Sequence, residues 1–435
     1  HFNLNHYFVK KALIICYYWP PAGGPGVQRW LKFVKYLRDY DVEPVVYIPE
    51  NANYPIRDES LLAEIPKGIT ILEKRIWEPY ALAGLFSKKE TKKISSGIIK
   101  AEEKQNWLQK LMLFVRGNLF IPDARKFWVK PSISYLSDYL SDNVVDCLIT
   151  TGPPHSLHLI GLELKKKFKL PWIADFRDPW TSIGYHKKLK FTAKAQQKHE
   201  KLEFEVLNEA THILVTSPRT KNDFSKLTQT PITSITNGFD EERVEQSPLD
   251  EKFSLAHIGS LLEDRNPMIL WEVLAELKQE LPDFEHNLKL ELIGRVGDSV
   301  IETIEKFGLK KNLEVPGYLS HQEALVKQRS AQLLLLLEID SEETQVIIPG
   351  KLFEYLAAQR PIIALGPKDS DVTDIIAKAK GGHYYTYADK QGLKEELRKK
   401  YEAYSMSGIA NTTGDLKQFT RRHLTEQLAQ VIHAM

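Results

Sequence analysis

Cysteine is nearly absent from this chain, with 2 in 435 residues. Cys16 and Cys147 both sit in apolar, strand-like runs, which fits reduced, buried thiols rather than a disulfide scaffold or a metal site. Long apolar runs are missing as well. The longest uninterrupted stretches, residues 12–21 and 333–337, have strand length and fall far short of the ~18 residues of a membrane-spanning helix. The first residues lack the charged, apolar, small-residue order of a signal peptide, so a cytoplasmic protein is expected. Glycine and proline, at 23 each, exclude collagen-like and low-complexity designs. What remains, 43% hydrophobic and 27% charged residues, is ordinary for a globular protein and excludes wholesale disorder. At 435 residues the chain is too long for one core, and two domains are expected.

The net charge of +2 conceals an asymmetry. Residues 1–236 hold 35 Lys+Arg against 24 Asp+Glu, about +11, and the remainder holds 24 against 33, about −9. Either the first half faces an anionic surface or substrate, or its lysines are solvated decoration.

Both halves alternate strand and helix signals. Residues 10–18 read as a buried strand, the Pro20–Gly26 stretch as a loop, and Val27, Leu31, Val34 and Leu37 recur at helical spacing before a strand at 43–48. That order is a βαβ unit and implies a parallel sheet. Further strands are expected at 146–151, 172–176, 213–216 and 232–236. Residues 87–130 read differently, with 11 Lys/Arg against 4 Asp/Glu interleaved with Trp107, Leu111, Phe114, Phe120, Phe127 and Trp128, as in a basic amphipathic insertion. Asn237-Gly238-Phe239-Asp240 breaks the pattern and marks the domain boundary. Strands at 255–258, 288–293, 313–315, 333–337 and 361–365 then alternate with helices at 268–280, 299–307, 350–358 and 371–379, and an amphipathic helix is expected at 416–434. The architecture predicted is α/β, two doubly wound Rossmann-like domains facing each other. The domains are 1–236 and 237–414, with 415–435 as a helix crossing back to the first.

Ligands of open parallel sheets bind beyond the carboxyl ends of the strands. After the strand at 333–337 comes Ile348-Pro349-Gly350-Lys351-Leu352-Phe353-Glu354-Tyr355-Leu356-Ala357-Ala358, in which Pro349-Gly350 opens a helix. Free N–H groups at that helix start, with Lys351 beside them, suit an anion, and Glu354 one turn in suits sugar hydroxyls. The same residues also read as an ordinary helix start with a solvated Lys and Glu. His155, after Gly152-Pro153-Pro154, either touches a bound sugar or phosphate or packs locally. Asp178 either pairs with Arg177 or orients an acceptor hydroxyl. Asp369-Ser370-Asp371 is read as a helix cap rather than a metal triplet.

The stretch Ile348–Ala364, which contains P-x-K-L-F-E-Y-L-A-A-x-x-P-I from Pro349 to Ile362, resembles the donor-binding motif of family 4 retaining glycosyltransferases of the polysaccharide-biosynthesis type. The glycine loop, the Pro-Pro-His segment, Asp-Phe-Arg-Asp-Pro-Trp and Asn-Gly-Phe-Asp recur there in the same order. The resemblance implies the GT-B fold, with two Rossmann-like domains facing across a cleft. It implies a metal-independent, cofactor-free retaining transfer from a nucleotide-sugar donor. Glu354 would grip the ribose, and Gly23 and Gly24 would lie near the transferred sugar and diphosphate. In place of the family's phosphate-gripping residues, Arg265, Lys351 and the helix N-terminus at Gly350 would substitute in holding the diphosphate, and His155 and Asp178 join Lys351 as catalytic candidates. Two departures stand out: Val346 occupies the position of the family's first glutamate, and Ser260 and Asn266 those of its phosphate-gripping Arg and Lys.

Other functions remain in view: a GT-B nucleotide-sugar epimerase, or a non-catalytic nucleotide-sugar or membrane-binding relative. A dinucleotide oxidoreductase is disfavoured, because Gly23-Gly24-Pro25-Gly26 lacks the Gly-x-Gly-x-x-Gly spacing and Pro25 removes an N–H. The partners expected are a nucleotide sugar and, through residues 87–130, an anionic inner membrane face presenting a lipid-linked acceptor, with no nucleic acid.

Overall fold

The computed structural model describes residues 9–78, 107–182, 189, 191–241 and 247–435. Residues 87–106 of the basic segment lie outside the described residues. The chain divides into two compact units, the first comprising His1–Asn237 and Arg421–Met435, the second Gly238–Thr420.

Unit 1 carries a seven-stranded sheet. Its strands are β1 (Lys10–Ile15), β2 (Val42–Pro49), β3 (Thr70–Lys74), β4 (Cys147–Gly152), β5 (Trp172–Phe176), β6 (His212–Val215) and β7 (Ile232–Ser234). All pair in parallel in the order β3-β2-β1-β4-β5-β6-β7. Helices α1 (Pro25–Leu37), α2 (Trp107–Leu119), α3 (Lys126–Asp142), α4 (Ser156–Phe168), α5 (Ala193–Glu209) and α6 (Pro218–Phe224) connect them. The two faces follow from the pleat. Ala12 and Ile14 of β1, with Cys16 just after it, join one apolar layer with α1, and Leu13 and Ile15, with Tyr17 after the strand, join the other with Trp128, Leu136, Leu157 and Val206.

Unit 2 repeats the plan with six strands: β8 (Phe253–Ile258), β9 (Leu288–Ile293), β10 (Leu313–Gly317), β11 (Leu333–Leu337), β12 (Ile362–Gly366) and β13 (Gly382–Thr386). They too are parallel, in the order β10-β9-β8-β11-β12-β13. Its helices are α7 (Met268–Glu280), α8 (Phe284–Asn287), α9 (Asp298–Lys306), α10 (His321–Ser330), α11 (Gly350–Ala357), α12 (Asp371–Ala379) and α13 (Lys390–Met406). β11 is five consecutive leucines, all buried. Leu333, Leu335 and Leu337 face the layer beneath α7, α9 and α13, and Leu334 and Leu336 face α11 and α12. A strand covered on both sides needs no polar alternation.

The expected helix at 416–434 is broken. Lys417–Phe419 is a single 3-10 turn, Thr420 is extended, and α14 spans Arg421–His433. The break has a local cause: Phe239 pairs with Thr420 as a bridge and donates its N–H to the Phe419 carbonyl at 3.1 Å. α14 lays Leu424, Leu428, Ala429 and Ile432 into the α1 layer of unit 1. Lys10 Nζ closes its last turn on the carbonyls of Ile432 and His433 at 3.1 and 3.3 Å.

The basic segment is also split by its packing. Leu113, Ile121, Ala124 and Trp128 are core residues, with Trp128 stacked on Tyr47 at 5.0 Å. Leu111, Phe114, Leu119 and Phe127 are exposed, as is Trp77, which meets Phe127 edge-on at 4.8 Å.

Because Leu428 is fully buried, Leu428→Ala should cost about 2–5 kcal/mol of unit 1 stability. Denaturant unfolding followed by tryptophan fluorescence measures this, and a cost under 1 kcal/mol would mean α14 is not docked there.

Candidate functional site

In sheets of this topology a ligand finds room where the connections of two neighbouring strands leave in opposite directions. In unit 2 that point lies between β8 and β11.

Lys351 and Tyr355 stand one turn apart on the same face of α11 and both close on the last residue of β8. Tyr355 accepts the Ile258 N–H at 2.9 Å, and Lys351 Nζ donates to the Ile258 carbonyl at 3.1 Å. The same Nζ lies 3.4 Å from Nε2 of His257, whose Nδ1 lies 3.0 Å from the Leu335 carbonyl. A carbonyl only accepts, so Nδ1 carries the proton and Nε2 offers Lys351 a lone pair. Burial, then the Lys351 charge, holds His257 well below the usual imidazole range, hence neutral. Lys351 needs the glycine after β8. Gly259 has φ +126, and a Cβ there would stand 2.9 Å from Nζ.

Burial pushes the Lys351 ammonium down to about 7, the Arg265 charge adds to this, and Glu338 and Glu354 oppose it. Arg265 ends the 3-10 turn Glu263–Arg265. Among the described residues its guanidinium has no hydrogen bond or ion pair, and Lys351 has no ion pair.

Glu338, the residue after β11, was not singled out in the sequence. It is 5% exposed. One oxygen, Oε2, receives the hydroxyls of Ser370 and Tyr384, each at 3.4 Å, and among the described residues Oε1 accepts none. Burial pushes this carboxyl up to about 7, against those two hydroxyls and the charges of Arg265 and Lys351. Gly366 makes the space, since a Cβ there would stand 2.8 Å from Glu338 Oε2 and 2.2 Å from the Tyr384 oxygen.

Gly350 opens α11, and among the described residues nothing lies within 4 Å of where its Cβ would stand. Glu354 is half-buried and accepts from Gln328 Nε2 of α10 at 3.0 Å. The departures noted above are settled locally. Asn266 is occupied, donating to Thr303 at 3.0 Å and accepting from Trp271 at 2.8 Å. Ser260 is exposed and Val346 half-buried. Ser370 caps α12, its Oγ accepting the Val372 N–H at 3.3 Å.

In unit 1 the corresponding point lies between β1 and β4, and a buried ion pair stands beside it. Asp175 of β5 takes a bidentate grip from Arg29 (2.9 and 3.3 Å), the indole N–H of Trp30 (2.7 Å) and the Thr151 hydroxyl (2.8 Å). Burial works to raise its carboxyl, but the Arg29 charge and these bonds outweigh burial and lower it. Gly23 donates to the Ile56 carbonyl at 2.9 Å, and a Cβ on it would meet Ile56 at 2.9 Å. Its close neighbour is therefore the chain's own 51–58 loop. Gly24 caps α1 at φ +93.

His155 is 4% exposed and stacks on Trp180 at 4.9 Å. Arg177 does not pair with Asp178. Its guanidinium donates to the carbonyls of Gly152 and Pro153 and lies over Tyr18. Asp178 is half-buried, accepts no hydrogen bond among the described residues, and is raised by burial. The N-terminus of α4, after β4, already holds a carboxylate. Asp123 accepts the Ser156 N–H and hydroxyl, both at 2.9 Å. An anion is better served in unit 2.

Solved structures share this architecture. Sucrose-phosphate synthase from Thermosynechococcus elongatus superposes with TM-score 0.60 at 13% identity, over 98% of each chain. The lipopolysaccharide outer core galactosyltransferase WaaB does so with TM-score 0.59 at 14%, over 98% of this chain and 99% of that one. A Listeria monocytogenes protein described as a UDP-N-acetylglucosamine 2-epimerase gives 0.53 at 11%, over 98% and 96%. No protein-family model matches the sequence, and no curated protein matches it. The fold is GT-B: α/β, with two doubly wound parallel sheets of seven and six strands.

Proposed function

We propose that this chain is a retaining, metal-independent glycosyltransferase of the family 4 type, moving a sugar from a nucleotide-sugar donor to a lipid-linked or surface-polysaccharide acceptor. One observation carries the reading. At the strand ends of unit 2, Arg265 and Lys351 stand at the start of α11 without an ion-pair partner among the described residues. Two cations and a helix N-terminus suit a diphosphate.

In the reaction the bond between the anomeric carbon and the phosphate oxygen breaks, and its electron pair stays on the phosphate. Lys351, Arg265 and the N–H groups of α11 stabilise that growing charge, which is the work a metal does in other transferases. The acceptor oxygen bonds to the same face of the sugar, and its proton passes to the departing phosphate oxygen. Glu354 takes the ribose hydroxyls, and Asp178, which accepts no hydrogen bond among the described residues, orients the acceptor hydroxyl. His155, enclosed by Trp180, serves by holding the loop after β4.

The acceptor of the proposed reaction is presented by a membrane. Leu111, Phe114, Leu119, Phe127 and Trp77 form an exposed apolar surface, with Lys126 over the rings of Phe120 and Phe127. Basic and aromatic side chains together suit an anionic bilayer interface.

The donor reading is tested with UDP-, GDP- and ADP-sugars. Glu354→Ala should weaken donor binding by about tenfold to a hundredfold, the loss of a charge-assisted bond of about 1.5–3 kcal/mol. Lys351→Ala should lower kcat by about 10²-fold or more with a smaller change in KM, and EDTA should leave turnover intact. Unchanged nucleotide binding in Glu354→Ala, or a strict divalent-metal requirement, contradicts the assignment. Flotation tests the acceptor side. Binding to vesicles should rise with anionic lipid, fall with salt and be lost in Leu119→Asp/Phe127→Asp. No binding to strongly anionic vesicles at low salt leaves a soluble acceptor.

A further inference from the structure

Glu338 sits where a carboxylate is least welcome if the neighbouring pocket takes a diphosphate. Its charge would repel the ligand across a poorly solvated gap. Yet it is nearly enclosed, follows β11 beside the end of β8 that Lys351 grips, feels the charges of Arg265 and Lys351, and keeps Oε1 without a hydrogen bond among the described residues. The conflict disappears if the group binds in its neutral form, because a protonated carboxyl is a donor.

We propose that Glu338 is a third ligand of the phosphate site formed by Arg265 and Lys351, acting as a neutral carboxylic acid that donates its O–H to a donor phosphate oxygen. This rests on the nucleotide-sugar reading and adds to it a proton that enters with the ligand. No covalent bond changes. The proton comes from solvent and stays on Glu338 while the ligand is bound.

The groups around Glu338 allow this assignment. Tyr384 of β13 and Tyr387 beyond it are held well above the usual phenol range by burial, so neither titrates near neutrality. Ser370 carries no charge. His257, lowered by burial, stays neutral. Among the described residues Lys351 is the other facing group close to neutrality, and its protonation would also favour an anion. With Glu338 pushed up to about 7, the free site holds the proton about half the time at pH 7. A bound anion raises the carboxyl further. Affinity should therefore fall as pH rises above 7, by up to about tenfold per unit for each proton taken up.

The test uses nucleotide sugars, whose two phosphates are both esterified and stay ionised from pH 6.5 to 8.5. The tightest binder among UDP-glucose, GDP-mannose and ADP-glucose is titrated calorimetrically across that range. Lys351→Arg keeps its charge throughout, so the pH dependence left in that variant belongs to Glu338. Lys351→Arg should lose about tenfold in affinity between pH 6.5 and 8.5. Adding Glu338→Gln, whose amide donates at any pH, should flatten the profile and bind about tenfold tighter than Lys351→Arg at pH 8.5. A flat profile in Lys351→Arg, or weaker binding at pH 8.5 once Glu338→Gln is added, overturns the proposal while leaving the donor reading standing. Binding of no nucleotide sugar by the unaltered protein at any pH overturns the donor reading and this proposal together.

Discussion

The grip of α11 on the end of β8 is the contact on which unit 2's site depends. Tyr355 accepts the N–H of Ile258 and Lys351 donates to its carbonyl, so one residue's two backbone groups are held by side chains one turn apart. This fixes the helix start against the strand ends and delivers an ammonium into a poorly solvated space beside an Arg265 guanidinium that has no ion-pair partner among the described residues. Holding like charges together at a half-buried site is unfavourable. The fold accepts the penalty because Leu352, Phe353 and Leu356 of the same helix are buried. The result is a preformed demand for an anion.

Unit 1 solves the corresponding problem in the opposite sense. There the buried Asp175 is fully paired with Arg29, Trp30 and Thr151, and Asp123 fills the helix start after β4. Arg29 also takes the carbonyls of Ile235 and Thr236 at 2.8 and 3.1 Å, tying the end of unit 1's chain run to α1. A satisfied network rigidifies and does not recruit charge. Two sheets of the same topology thus present different chemistry at equivalent points: one closed over its own charges, the other open to a ligand's.

Central strands were legible in the sequence because apolar runs such as Leu333–Leu337 have one explanation in a parallel sheet. The edge strands β7 and β10 were legible too, but the edge strands β3 and β13 were not. β3 (TILEK) and β13 (GHYYT) are polar and partly exposed, so nothing marked them off from loops. The polar α13 escaped for a similar reason, since only Leu393, Glu396, Leu397 and Tyr401 are buried. At the site, the motif around Lys351 and Glu354 could be read, as could Arg265. Glu338 could not be read from motif spacing. Its signal was positional: a carboxylate directly after five leucines must lie at the carboxyl end of a buried central strand, where solvent is scarce. Asp178 and Arg177 illustrate a different limit. Adjacent opposite charges suggest a pair, whereas Arg177 turns to the backbone carbonyls of Gly152 and Pro153.

On the proposed function, unit 2 holds the donor's diphosphate between Arg265, Lys351 and the first turn of α11. A crystal structure with the tightest-binding nucleotide sugar decides this. Phosphate oxygens should lie within hydrogen-bonding distance of Lys351 Nζ, the Arg265 guanidinium and the backbone N–H groups that open α11. A nucleotide sugar bound with its diphosphate away from both cations would contradict it.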